Sequence, residues 1–378
     1  MTCVNAYYHL AYRVRGWGAL PRRRGATLVV ANHQHELEAA ALVAALSVRP
    51  FSWRYPIFAV AGRRMFEPGF LADRLPLLRF ALREVNSGTL LGALGLQPVE
   101  NELHTRSFGS LAYWARIRHG DVPVDAVFSE RARARLPSDI KTVADILDAR
   151  HFKVSRTPAS LSELLEPYRS EELAATRKQL EADVEHFAQL ARDGATIYIT
   201  PEGTYSGDGR MRRMRGLLLT LGPLASIWMT AISYDPFVGR RLSMLYRVVQ
   251  ARNDMPLEPQ VKANRPITTS VLLGNWLHGR REPFAPAEAE DAVIGQVATL
   301  PPNVFIDPEL RRMPQRMVRS ALDGLRRTGT LEAAADRLRL TERRSHPQFP
   351  RTADIIEYQH NFLQESLEGA AFMSSAAR

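Results

Sequence analysis

Short, unbroken apolar runs punctuate the first 250 residues, and helical spacing follows several of them. Residues 26–31 (ATLVVA), 56–61 (PIFAVA) and 196–200 (TIYIT) are the clearest. Such runs read as strands buried on both faces, as in a parallel sheet. Further strands are expected at 122–128, 226–233, 242–249 and 267–273. Apolar residues recur at helical spacing over 36–46, 71–83, 88–94, 171–192 and 212–221. Beyond residue 250 the pattern changes. Pro256, Pro259 and Pro266 mark a connection, and helices are expected at 285–299, 314–327, 331–340 and 353–368. Strands alternating with helices predict an α/β fold, a central, mostly parallel sheet flanked by helices. The expected organisation is an α/β domain over 1–250, carrying a largely helical insertion at about 102–192. A mostly helical C-terminal extension over 251–378 packs on it.

One uncharged run, residues 216–234 (GLLLTLGPLASIWMTAISY), has nearly the length of a membrane span. Gly222 and Pro223 interrupt it, and its halves differ: leucine-rich, then strand-like. A buried helix, turn and strand is the expectation, and no signal peptide is read at the start of the chain. Hydrophobic residues make up 45% and charged residues 24%, which excludes an extensively disordered chain. The formal charge is +10, almost all of the positive part arginine. That field favours anionic partners without choosing among nucleic acid, lipid and phosphorylated substrate. A lone cysteine, Cys3, rules out an internal disulfide and a cysteine-based metal centre, and suits a reducing interior.

Candidate chemistry sits where strands end. Asn32-His33-Gln34-His35-Glu36-Leu37-Glu38 follows the second strand, at the sheet edge where α/β proteins bind ligands. His33 and Glu38 would lie about 140° apart on one continuous helix and could not meet. With His33 just before the helix and Glu38 one turn in, the carboxylate can hold one ring nitrogen and fix the tautomer. The other nitrogen is then free to act as a base on a hydroxyl, the logic of a serine-hydrolase triad with a substrate in the serine's place. The bland alternative is a surface histidine beside a helix start whose acids suit the helix dipole. His33-x-His35 also resembles a metal-site spacing, but Leu37 and Glu38 do not continue the metallo-hydrolase pattern. No metal is expected.

The second constellation, Pro201-Glu202-Gly203-Thr204, follows the TIYIT strand. Gly203 permits close backbone approach. Glu202 and Thr204 supply an acceptor and a donor for hydroxyls. Arg210, Arg212, Arg213 and Arg215 lie just downstream as candidate ligands for a phosphate or for the phosphates of a thioester carrier. Taken alone, this is an ordinary turn before a basic helix.

Together and in this order, the two motifs resemble the glycerolipid (lysophosphatidate and glycerol-phosphate) acyltransferases, whose Asn-His-x4-Asp motif precedes a Phe-Pro-Glu-Gly-Thr-Arg-Ser motif. The likeness extends over roughly 8–100 and 190–240, including Phe58-Ala59-Val60-Ala61 with Arg63, Phe66 and Pro68. Three departures stand out. Glu38 replaces the aspartate, and Tyr205 replaces the arginine after Glu-Gly-Thr. The middle motif's arginine is missing after Gly95-Leu96-Gln97-Pro98-Val99, where Glu100 follows and Arg106 is the nearest arginine.

The resemblance implies O-acyl transfer from an acyl thioester, carried by coenzyme A or an acyl-carrier protein, to a hydroxylated lipid or polar alcohol in phospholipid synthesis. It casts His33 and Glu38 as catalytic, and Glu202, Gly203 and Thr204 as binding the acceptor. Arg210, Arg212 and Arg213 would take phosphate, and no cofactor is required. It implies a cytoplasmic protein, peripheral on the inner face of the cell membrane and attracted to anionic lipid. Tyr7, Tyr8, Leu10, Tyr12 and Trp17, among Arg13, Arg15, Arg22, Arg23 and Arg24, suit such an interface. The rival readings are an inactive lipid-binding relic of the family, a metal-dependent hydrolase and a basic nucleic-acid-binding protein. For the last, 328–346 resembles the first helix and turn of a helix-turn-helix, but Pro347 and Pro350 leave no room for a recognition helix, and nucleic acid is not expected as a partner.

Overall fold

The Thr27–Ala31 run (β2) is buried along its whole length, because a parallel neighbour hydrogen-bonds to it on each side. The computed structural model describes residues 12–20, 25–35, 38, 42, 57–66, 86–100, 105–203, 205–214 and 216–376. They form two units, Met1–Ala59 with Ala188–Arg378, and Val60–Phe187.

The sheet comprises β1 (Arg13–Trp17), β2, β3 (Ile57–Gly62), β4 (Leu96–Val99), β5 (Thr196–Ile199), β6 (Ser226–Asp235) and β7 (Ser243–Gln250). Its order is β1-β7-β6-β2-β5-β3-β4. Pairs β1·β7, β6·β2, β2·β5 and β5·β3 are parallel, and β6·β7 is antiparallel. This is the α/β, mostly parallel sheet expected. Val30 lies beside Ile199 and Met229, so β2 and β5 end at the same sheet edge. Leu28, Val29 and Val30 are fully buried, each worth about 1.5–3 kcal/mol over exposure.

In the first unit the remaining elements are α1 (Leu217–Leu221), α2 (Leu257–Asn264), α3 (Thr269–Leu277), α4 (Pro286–Thr299), α5 (Pro308–Arg312), α6 (Pro314–Arg327), a hairpin of β8 (Leu331–Ala334) and β9 (Arg337–Leu340), and α7 (Ile355–Ser375). The stretch expected to pack on the α/β domain as an extension belongs to the same unit as β1, β2, β5, β6 and β7. Within that stretch Arg265 ties the end of α2 to α7. It is fully buried, donates to the Phe362 carbonyl at 2.9 Å and to Ser366, and lies 4.0 Å over the Phe362 ring.

Three expected elements differ. Residues 267–273 form no strand: Thr268 caps α3 by accepting from the Val271 N–H, and Ser270 is held by Asp235. Residues 331–340 form a hairpin instead of a helix. Arg337-Leu338-Arg339-Leu340 alternates with period two, and only its leucines turn inward. The nucleic-acid reading thereby loses its first helix. Residues 122–128 contain the short helix Val124–Val127, flanked by isolated bridges, in place of a strand. The 212–221 helix shortens to Leu217–Leu221. The uncharged 216–234 run is helix, turn and strand, and among the described residues no helix is long and apolar enough to cross a membrane. The expected helices at 36–46 and 71–83 lie largely or wholly outside the described residues.

The second unit packs the helix Phe108–His119 and short helical turns around Phe108, Leu111, Val127, Phe128 and Ile146. The helix Tyr168–Arg192 covers the expected 171–192 span. Arg106 reaches Glu100, Glu172 and Thr176 at 2.8, 2.8 and 2.9 Å. Arg63 grips both oxygens of Asp183 at 2.8 Å. Arg106 is therefore held by two buried carboxylates and is committed to the fold.

Candidate active site

β2 stops at Ala31, and the next residue anchors the loop. Asn32 is buried and pairs with the main chain of Ile232 in β6: its Oδ1 accepts from the N–H at 2.6 Å and its Nδ2 donates to the carbonyl at 3.0 Å. His33 thus leaves the sheet in a fixed direction. Its main-chain N–H donates to Glu202 Oε1 at 2.7 Å. Glu38 lies in helical backbone, 0% exposed, and its Oε2 is 2.9 Å from His33 Nδ1. The geometry expected from the spacing is the geometry observed. The Gln34 N–H donates to both Glu38 oxygens, at 2.8 and 3.0 Å, which locks the carboxylate plane. An ionised carboxylate only accepts, so Nδ1 carries the hydrogen and Nε2 presents a lone pair. Among the described residues nothing hydrogen-bonds Nε2.

The second motif lies beside the first. After β5 the chain turns at Gly203, whose N–H closes onto the Thr200 carbonyl at 3.1 Å. Its φ of +73° is one that side chains disfavour, and the space where a Cβ would point is open. The Gly203 amide is engaged within the turn, so it is not a free oxyanion donor. Glu202 is 2% exposed. Its Oε1 takes the His33 N–H and its Oε2 takes the Arg212 N–H at 2.6 Å. Where the sequence reading gave this carboxylate to a substrate hydroxyl, the structure shows a strut joining two loops. Burial pushes its pKa up to about 7, against the opposing pull of the two N–H donors and His33. Thr204 lies outside the described residues.

No protein-family model matches this chain, and no curated protein matches it. The functional reading therefore rests on geometry and on the motif resemblance.

Aromatic and C-terminal residues complete the surroundings. Tyr205 is buried and meets the His33 ring edge-on at 5.4 Å. The Arg351 guanidinium lies 4.5 Å over the Tyr205 ring. A cation thus stands one ring away from His33. His35 approaches Tyr234 and Phe349 and contacts the Gln348 carbonyl at 3.2 Å. The two histidines therefore engage separate partners. Among the described residues no three His, Cys, Asp or Glu side chains group as a metal site. The Tyr198 hydroxyl is buried without a hydrogen-bond partner among the described residues. Burial, reinforced by the charge of Glu38, raises its pKa, and it stays neutral.

Of the candidate phosphate arginines, Arg210 is exposed and contacts Asn361 at 3.3 Å, and Arg212 and Arg213 are exposed. All three follow the Glu202 turn. Phe349 and Arg351 carried no signal in the sequence, because more than 300 residues separate them from His33. Two of the N-terminal arginines expected at a lipid surface are engaged within the protein: Arg15 holds Asp307 and Glu309, and Arg13 holds Glu309; Arg22, Arg23 and Arg24 lie outside the described residues. Trp17 packs on Phe305. Tyr7, Tyr8 and Leu10 lie outside the described residues.

Proposed function

We propose that the protein is an O-acyltransferase, moving an acyl group from a thioester to a hydroxyl of a lipid or polar alcohol. One observation carries the reading: a fully buried carboxylate holds Nδ1 of His33 at the carboxyl edge of the sheet and leaves Nε2 as the base. In the forward step, Nε2 takes the acceptor's hydroxyl proton. The oxygen attacks the thioester carbonyl, the carbon–sulfur bond breaks, and the departing thiolate recovers the proton from the imidazolium. Glu38 orients the ring and stabilises its charged form. Such a base contributes roughly 10²–10⁴-fold. Glu202 fixes the His33 loop to the arginine-bearing loop, so Arg212 and Arg213 are carried at a constant offset from the base.

A peripheral position on anionic lipid follows from the same neighbourhood. Leu219 is 79% exposed and Leu224 39%, close in sequence to the exposed Arg212 and Arg213. Apolar side chains beside cations suit the headgroup boundary of an anionic bilayer. Incubating the protein with long-chain acyl thioesters of coenzyme A and of a carrier protein, across lysolipids, glycerol phosphate and glycolipids, tests the reading. Acceptor-dependent thiol release with formation of an O-acyl product is expected. Binding of these lipids with no product from any pair would instead favour the inactive relic.

A further inference from the structure

A cavity of about 600 Å³ opens in the first unit beside β1, the β6–β7 turn and α6, with Tyr12, Arg13, Arg240, Arg241, Glu309 and Arg316 in its lining. Its charge is unbalanced. Glu309 is shared by Arg13 and Arg15. Among the described residues no acid pairs with Arg240, Arg241 or Arg316.

The turn bearing two of these arginines is rigidly built. The Phe237 N–H donates to Ser270 Oγ at 3.0 Å and the Gly239 N–H to Ser320 Oγ at 3.2 Å, and Arg327 donates to the Gly239 carbonyl at 2.7 Å. At Gly324 a Cβ would fall 1.8 Å from the Phe237 oxygen, so α6 seats the turn only because that position is glycine. Arginine forks without carboxylate partners match phosphate oxygens.

The pocket shares the sheet edge with the candidate base. Ala31 pairs with Thr230, and β6 runs on past it to Asp235 before the turn. β7 stands two strand spacings from β2, roughly 10 Å. The Tyr12 ring lies 6.3 Å from that of His35, two residues beyond His33. The pocket and the candidate base thus lie at one edge of the sheet.

We propose that this pocket holds the phosphate groups of the thioester donor, at the far end of its pantetheine arm from the reacting carbonyl. The assignment rests on the acyltransferase reading. Calorimetry with coenzyme A compares wild type, His33→Ala and Arg240→Ala/Arg241→Ala, alongside phosphatidylglycerol vesicles and inorganic phosphate. Coenzyme A affinity is expected to fall about ten-fold or more in the double variant, to recover in part in Arg240→Lys/Arg241→Lys, and to be unchanged in His33→Ala. The KM for acyl-coenzyme A should rise likewise, and that for a phosphate-free acyl thioester should not. Equal coenzyme A affinity with and without the two arginines overturns the proposal. So does a dependence on them confined to vesicles, which would assign the phosphate to a lipid headgroup. Arginine-dependent coenzyme A binding without any acyl transfer would keep the pocket and refute the activity instead.

Discussion

Glu38 and Glu202 in the first unit are satisfied differently from the buried carboxylates of the second. In the second unit Glu100, Glu172 and Asp183 are answered by the guanidinium groups of Arg106 and Arg63. In the first, the hydrogen bonds of Glu38 and Glu202 come from main-chain N–H groups and one imidazole. A carboxylate closed by a guanidinium has its charge neutralised and no proton to exchange. One closed by an imidazole passes its influence to a ring whose second nitrogen is open. The first arrangement braces a fold, and the second prepares a base. Burial alone therefore does not mark a site; the nature of the partner does.

The comparison can be broken in order of expected effect. Glu38→Gln should lower turnover roughly 10²–10⁴-fold, because an amide can present its NH₂ to Nδ1 and stabilise the wrong tautomer; steady-state rates at matched folded fraction read this. Turnover within two-fold of wild type would remove Glu38 from the mechanism. Arg106→Met should cost about 3–5 kcal/mol by leaving buried Glu172 without its cation and Glu100 with only the more distant Arg63. Denaturant unfolding checks it, and a loss under 1 kcal/mol would mean that the pairing does not brace the unit. Asn32→Ala should cost about 1–3 kcal/mol, since the Ile232 N–H and carbonyl both lose their partner.

A further effect is a pH dependence. Glu202 holds its proton more tightly folded, at about 7, than unfolded, near 4.5. Its contribution to stability is therefore fully present below about 4.5 and is lost as pH rises through about 7. The wild-type melting temperature should decline relative to Glu202→Gln across that window. A constant difference between the two would contradict the assignment.

The sequence revealed what is local. A five-residue separation was enough to foresee that His33 meets Glu38 only across a helix start, and continuous apolar runs marked β2, β5 and β6. It misled where one pattern served two structures. Ile267 to Leu273 is apolar enough for a strand, but the Thr268 cap and Asp235 make it a helix. The alanines of 331–336 suggested a helix, and the alternation of Arg337 to Leu340 carried the truth. Glu202 looked like a substrate ligand because nothing local shows that the N–H groups of His33 and Arg212 converge on it. Arg351 over Tyr205, and Gln348 against His35, depend on contacts between chain segments more than a hundred residues apart and left no trace in spacing.

The most direct test of the central claim is the acceptor-dependent rate of thiol release from a long-chain acyl thioester, measured for wild type and for His33→Ala with its fold verified by circular dichroism. Loss of about two to four orders of magnitude in the variant, with thioester binding retained, is the predicted result. Acyl transfer at the wild-type rate without the imidazole would contradict it.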